Sequence, residues 1–414
     1  MYSHRHREYS TIPSGIMGNL MREDDNFRPG PDLIEILNSN TGYEVDFNDA
    51  AYTGLPTFFQ FKLACAACGR LQMSCECVTS FKGVKLDHLR HISTWHGPVP
   101  ANAQMPNVRF DRIKTIKFHP DFNDSLDGLS INWPPTLQHI HFGYRFNRNI
   151  EATIWPLDMR TISFGRDFNK SVTNWPDSLQ VITFGDSFNQ PVLGVNWPNS
   201  LRMIIFGQRF DQPVLGVNWP NSLRMIIFGQ RFDQSIAGVN WPNRLETLRF
   251  GTMFNKSITN VAWPASLSTI RVGNRFNQPI ENLPLPPYLR SIHFGMSFDQ
   301  PIANVLWPSN LSTISFGHQF NKPIEHVVWP AGLTTITFGY YFNQSIEGVI
   351  WPIGVQTIVF GVNFNQPVSG ANWPFGLKNI EFGHAFTQSL QGIVWPSGMR
   401  VVLLGQVPQL FATM

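Results

Sequence analysis

A Trp-Pro pair returns along the chain at a fixed spacing, and that spacing excludes most folds at once. Trp stands at 133, 155, 175, 197, 219, 241, 263, 307, 329, 351, 373 and 395, each followed by Pro, and Leu285-Pro286 fills the one gap. Every interval is 22 residues except the 20 between Trp155 and Trp175. Within each period one skeleton recurs: WP, two variable residues, L-x-x-I-x-F-G-x-x-F-N-Q-P-I, and a short return to the next WP. Of the 34 Phe, 25 occupy its two Phe positions, so the aromatic excess belongs to the repeat. A unit this short cannot bury its apolar face alone, and a fixed period of about 20–29 residues with L-x-x-L-x-L spacing means a solenoid. The block Gln190–Phe210 recurs unchanged as Gln212–Phe232, so the unit tolerates being copied.

Composition removes the competing classes. Charged residues are 14% of the 414, against about 25% in an ordinary soluble domain. Disorder requires few aromatics and high net charge, and here aromatics reach 13% with a net charge of +3. The 32 Gly and 31 Pro would break any long heptad. No apolar run approaches the roughly 18 residues of a membrane span, and Met1–Tyr9 is not followed by the apolar run of a secretory leader.

The alternation within a unit assigns faces. In Leu311-Ser-Thr-Ile314-Ser-Phe316, Ile and Phe are two apart and share the inner face of a strand, with Leu311 anchoring its entry. Ser312, Thr313 and Ser315 then lie outside, and Gly317 is read as permitting the turn that ends the strand. Phe320 re-enters the core. The next position is Asn or Asp in twelve coils, from Asn123 to Asn365, and breaks only at Thr387. An inward ladder is expected there, the amide pairing its own turn and the neighbouring coil, with Asp211, Asp233 and Asp299 pairing differently because ionised Asp cannot donate. The return leg, about ten residues with Pro, Gly and β-branched residues, is expected to be extended, with Trp and Ile stacking between coils. The fold class is thus mainly β: a solenoid of about 13 coils of 22 residues with a parallel sheet and few or no helices. Each coil is expected to bury about five large apolar groups.

F-N-x-P-I at a 22-residue period, preceded by L-x-x-I-x-F, resembles the FNIP repeat, a family related in pattern to leucine-rich repeats. The resemblance runs from Ile113 to Gly405, about 70% of the chain. It implies a leucine-rich-repeat-like solenoid and a protein-interaction role, and it implies no catalytic residues.

Three segments follow: 1–112, a partly disordered N-terminal region with a degenerate cap repeat at Leu89–Thr94; 113–405, the solenoid; and 406–414, a tail whose Leu410 and Phe411 are placed to fold back as a cap. Failing that cap, the open strand edge at a solenoid end would pair with another copy, giving a monomer or weak homodimer. Cys65, Cys68, Cys75 and Cys77 are the only cysteines. Four thiolates, with His88, His91 and His96 nearby, offer a structural zinc site, but a six-residue knuckle and C-x-C are unusual for one. Reduced thiols and a disulfide are the other readings, and no other cofactor is expected. Some relatives of the family carry an F-box ahead of the repeats; Leu55-Pro56 gives no convincing match, and a ubiquitin-ligase adaptor is kept as an alternative function.

Specificity must reside at the positions that vary between coils. Arg160, Arg202, Arg224, Arg249, Arg271 and Arg290 concentrate on the strand face of the earlier coils, and Tyr340 and Tyr341 on the later ones. This row is either a solvated face that needs polar residues or an electropositive stripe for an acidic protein segment. Residues 101–414 carry 22 basic and 17 acidic residues, a net +5 too thin for nucleic acid. The column Thr247, Thr269, Ser291, Thr313, Thr335, Thr357 suggests glycan or ice binding instead, but Arg249, Arg271 and His293 interrupt it. Enzymatic readings lack support: Glu246 and Glu381 are not grouped, and no nucleophile triad or phosphate-binding loop is placed. N-x-[ST] occurs at Asn123, Asn169, Asn255, Asn310 and Asn343, four of them ladder positions expected to be buried. A sugar there would disrupt the ladder, which favours the cytoplasm, with the nucleus as the alternative.

Overall fold

The computed structural model describes residues 94–96, 114–118, 120–123, 126, 133, 136–404 and 407–410. The four cysteines, the Leu55-Pro56 segment and most of residues 1–112 lie outside them. The chain forms two compact units, residues 1–188 and 189–414, each built from the same coil.

The first unit carries β1 (Thr94–His96), β2 (Thr115–Lys117), β3 (His139–His141), β4 (Thr161–Ser163) and β5 (Val181–Thr183), all parallel and paired in sequence order. The second carries β6 (Met203–Ile205), β7 (Met225–Ile227), β8 (Thr247–Arg249), β9 (Thr269–Arg271), β10 (Ser291–His293) and β11 (Thr313–Ser315). It continues with β12 (Thr335–Thr337), β13 (Thr357–Val359), β14 (Asn379–Phe382), β15 (Val401–Leu404) and β16 (Val407–Leu410). From β6 to β15 all are parallel, and β16 turns back antiparallel on β15, pairing Leu410 with Val401. Phe411, the other residue of the expected cap, lies outside the described residues. Thr94–His96 pairs parallel with β2, Trp95 opposite Ile116, and the rest of the degenerate cap repeat before Thr94 lies outside the described residues. No helix occurs among the described residues, and none is long and apolar enough to cross a membrane.

Each strand is only three or four residues long because the apolar pattern asks for one inward residue between two outward ones. Ile314 is buried while Thr313 and Ser315 are half-buried. One coil buries Leu311, Ile314, Phe316, Phe320, Ile324, Val327 and Trp329, seven groups rather than five. These form columns along the stack. Phe316 and Phe320 stack within a coil at 4.1 Å, and Phe320 stacks on Phe342 of the next at 6.0 Å. Trp329 stacks on Trp351 at 5.8 Å and meets Phe316 edge-on. Offset and edge-to-face pairs of this kind add about 0.5–1.5 kcal/mol beyond burial.

The glycine after the strand has a different role from the one the sequence suggests. Gly317 shows no left-handed backbone; instead a Cβ on Gly339 would lie 1.7 Å from the Gly317 carbonyl oxygen. Adjacent coils approach so closely here that no side chain fits. Conformational freedom is needed in the return leg, where Gly348 has φ 78° and Asn260 and Asn282 take its place at φ 60° and 56°.

The ladder is present and simpler than expected. The side-chain Oδ1 of each ladder residue accepts the backbone N–H of its counterpart one coil later, at 2.8–3.0 Å, from Asn123 to Asn169 in the first unit and from Asn189 to Thr387 in the second. Only an acceptor is required, so Asp211, Asp233 and Asp299 bond that N–H as Asn does, contrary to the expected difference. What changes is the lateral partner. The next residue is usually Gln, whose Nε2 donates to the same oxygen, as Gln344 does to Asn321 at 3.0 Å. Behind Asp233 and Asp299 it is Lys256 and Lys322, at 2.9 and 2.8 Å from the second carboxylate oxygen. The ladder side chains are half-buried and Asn255 is exposed, so the localisation argument from buried sequons does not hold in that form.

Two substitutions test these constraints. Gly339→Ala should destabilise the protein by about 1–3 kcal/mol, an overpacking cost, whereas Gly354→Ala, whose nearest atom would be 3.5 Å away, should be near neutral in urea unfolding. Asn343→Ala, which orphans the Asn365 N–H, should cost about 1–3 kcal/mol, and Asn343→Asp much less.

Candidate functional site

The first and third residues of strands β2 to β14 flank the buried central residue on the outer face of the sheet, and register sets them in two rows. In the second unit the third-position row reads Ile205, Ile227, Arg249, Arg271, His293, Ser315, Thr337, Val359 and Glu381, each paired with the next. The first-position row begins with Met203 and Met225 and continues as the hydroxyl column from Thr247 to Thr357. The face therefore has three zones. At β6–β7 it is apolar and closed: Met203, Ile205 and Met225 are 1–3% exposed. At β8–β9 it is cationic, at β10 it carries Ser291 and His293, and at β11–β12 Thr313, Ser315, Thr335 and Thr337 form a hydroxyl quartet.

Arg249 and Arg271 of the sequence-derived stripe stand side by side in register on the outer face, with Arg271 buried to 8% exposure and Arg249 half-buried. Arg202, Arg224 and Arg290 stand on a separate row at the strand entry. Arg224 Nη1 donates to Glu246 Oε1 at 3.0 Å, so its charge is compensated by the following coil. The signal was in the sequence, since Arg224 and Glu246 are successive members of one row. Arg290 is exposed on that row between Ser268 and Ser312, whose hydroxyls donate to the carbonyls of Glu246 and Arg290 at 3.0 Å. Tyr340 and Tyr341, edge-on at 4.9 Å, lie beyond the glycine, with His318 6.2 Å from Tyr340. Arg160 belongs to the first unit and is exposed; its carbonyl accepts the N–H groups of Gln180 and Val181.

Two outward histidines are held neutral. His293 Nε2 lies 2.7 Å from Ser291 Oγ, and burial, then the Arg271 and Arg249 guanidiniums, lowers its pKa to about 3. In the first unit His139 Nδ1 bonds Thr161 Oγ1 at 2.9 Å, and burial, then Arg160 and Lys114, lowers it to about 4. No cluster of His, Cys, Asp or Glu suited to a metal ion occurs among the described residues. The zinc reading of Cys65, Cys68, Cys75 and Cys77 falls outside them.

Residues 168–209, 188–231, 210–253, 254–297, 276–319 and 298–341 match the family model described as FNIP Repeat. Among solved structures, CroV588, described as a novel circular leucine-rich-repeat protein, is 28% identical with a TM-score of 0.57. The match covers 75% of this chain and 63% of that one, so the chain spans less than two thirds of that protein's length. The pneumococcal vaccine antigen PcpA matches over 72% of this chain and 78% of its own, at 13% identity and a TM-score of 0.18, a superposition too poor to carry an argument. No curated protein matches the chain.

The histidines give a pH dependence of definite sign. Unfolded imidazole takes a proton below about pH 6.5, whereas folded His293 does so only near pH 3. Between these values the unfolded state binds more protons, so stability falls as pH falls. Urea midpoints of the wild type should drop on acidification below pH 6.5, and His293→Gln should show a shallower drop. Identical slopes for the two proteins would count against the assignment.

Proposed function

We propose that this chain, built on FNIP repeats, is a non-enzymatic scaffold that takes an acidic protein segment on the strand side of its second unit. The observation that carries the reading is a contrast within each coil. Ile314, Phe316, Phe320 and their counterparts recur almost unchanged, while the outward residues of the same strands change from Arg to His to Ser and Thr. A stack needs constancy inside and tolerates any polar residue outside, so the outer rows are where recognition can be encoded. Arg249, with the paired Arg271 beneath it, faces the partner, and Arg202 and Arg290 meet it from the entry row. Tyr340 and Tyr341 supply amphipathic contacts at the opposite margin of the strands. Arg224 contributes little, being tied to Glu246.

The hydroxyl quartet of β11–β12 favours a second reading, glycan or ice binding, but it is only two coils wide in both rows. At β8–β10 Arg249, Arg271 and His293 replace the second row, and at β13 Val359 does.

Fluorescence-anisotropy titrations with Asp/Glu-rich peptides test the proposal. The wild type should bind, weakening between about 50 and 200 mM salt, and the variant Arg202→Glu, Arg249→Glu, Arg290→Glu should bind at least about tenfold less tightly. Equal binding by a normally melting variant, or binding indifferent to salt, would overturn it.

A further inference from the structure

The return leg has an outward row of its own. Just before the Trp the side chains alternate, Val327 in, Val328 out and Trp329 in, and in the coil of Leu306 a tight turn, closed by the Trp307 N–H on the Val305 carbonyl at 3.1 Å, pushes the middle residue outward. In the coils of Trp197, Trp219 and Trp241 this outward residue is Asn, as is the one after the Pro. From Trp307 onward the pattern changes. Leu306, Val328, Ile350 and Val394 occupy the position before Trp, and Ile353 and Phe375 the position after Pro, all 67–89% exposed. Asn372 interrupts the first row, and Phe375 supplies apolar surface in the same coil. Neither row carries a charged residue from the Trp307 coil to the Trp395 coil.

Scattered exposed Leu or Val need no explanation, but a contiguous apolar patch beyond a few hundred Å² does. The six residues, each 67–89% exposed, together present several hundred Å² of apolar surface, the scale of the about 800 Å² that each partner brings to a standard stable interface. None is needed by the fold, since the coils of Trp197, Trp219 and Trp241 place Asn at both positions and stack equally well.

We propose that this ridge is the interface of a homodimer, its occupant the same ridge of a second copy. A two-fold interface uses one self-complementary patch on both subunits. This ridge meets that condition in two respects. It has no charge that would oppose its own copy. From Leu306 through Val328 to Ile350 its knobs also repeat with the coil, at the spacing marked by the 5.8 Å between Trp329 and Trp351, so knobs of one copy fall between those of the other there. The dimer leaves the outer face of the sheet free for the partner proposed above, and it does not depend on that partner. It differs from pairing through an open strand edge, since no backbone hydrogen bond takes part.

Sedimentation equilibrium of the full chain tests this directly. The wild type should show a concentration-dependent mass rising from 47.1 kDa to twice that value. Val328→Glu with Ile350→Glu should remain monomeric with an unchanged thermal midpoint, and Asn218→Glu should still dimerise. Should the glutamates disturb folding, Val328→Ser with Ile350→Ser should weaken association at least about tenfold. A wild type still monomeric at about 100 μM, or a dimer indifferent to both ridge variants, overturns the proposal.

Discussion

Within each of the two units of this protein, successive coils rest against one another at a point where no side chain fits. The carbonyl oxygen of Gly317 occupies the place that a Cβ on Gly339 would need, and the same contact recurs from Gly339 to Gly361. That approach holds the strand exits together and thereby fixes the axial step. With the step fixed, the Phe rings after it must stack at about 6 Å, as Phe320 and Phe342 do. The ladder oxygen of Asn321 likewise falls 2.9 Å from the N–H of Asn343. A larger residue at the glycine would spread the coils and lengthen every one of these contacts together.

The energetics are correspondingly local. Interior residues touch their own coil and its two neighbours, so stability is a sum of coil terms and interface terms. Several buried indole N–H groups, among them those of Trp219, Trp329 and Trp351, have no hydrogen-bond partner. An unpaired buried donor costs about 1–3 kcal/mol. The indoles are retained because each also stacks on its counterpart, meets Phe edge-on and covers the outer end of the aromatic columns.

The fold was almost wholly legible in the sequence, because a period and an alternation determine which residues face inward. Strand position, direction and register followed from Ile314 and Phe316 alone. What was not legible depended on distances between coils. Gly317 looked like a turn residue because a close approach leaves no mark that differs from conformational need. The Asp ladder positions looked exceptional because counting donors does not reveal that only an acceptor is used. The candidate site was legible as a list but not as an arrangement. Arg249 and Arg271 are neighbours, whereas Arg224 is neutralised by a residue 22 positions away in the same row. The apolar ridge escaped notice because attention rested on the strand face, although the change from Asn to Leu306, Val328 and Ile350 is plain once the return leg is read as alternating before the Trp.

The lateral pairs beside the ladder preserve a trace of how the array grew. Two ladder aspartates are followed, one coil later, by lysine, and the third, Asp211, is followed by Gln234. The exception sits where one coil was copied without change. Gln234 follows the second copy of that block and stands behind Asp211, while Lys256 stands behind Asp233, one coil further on. The amide still bonds Asp211, so the copy was accepted. A solenoid of this kind can thus lengthen by whole coils with only one lateral contact per junction left to be re-matched by later substitution.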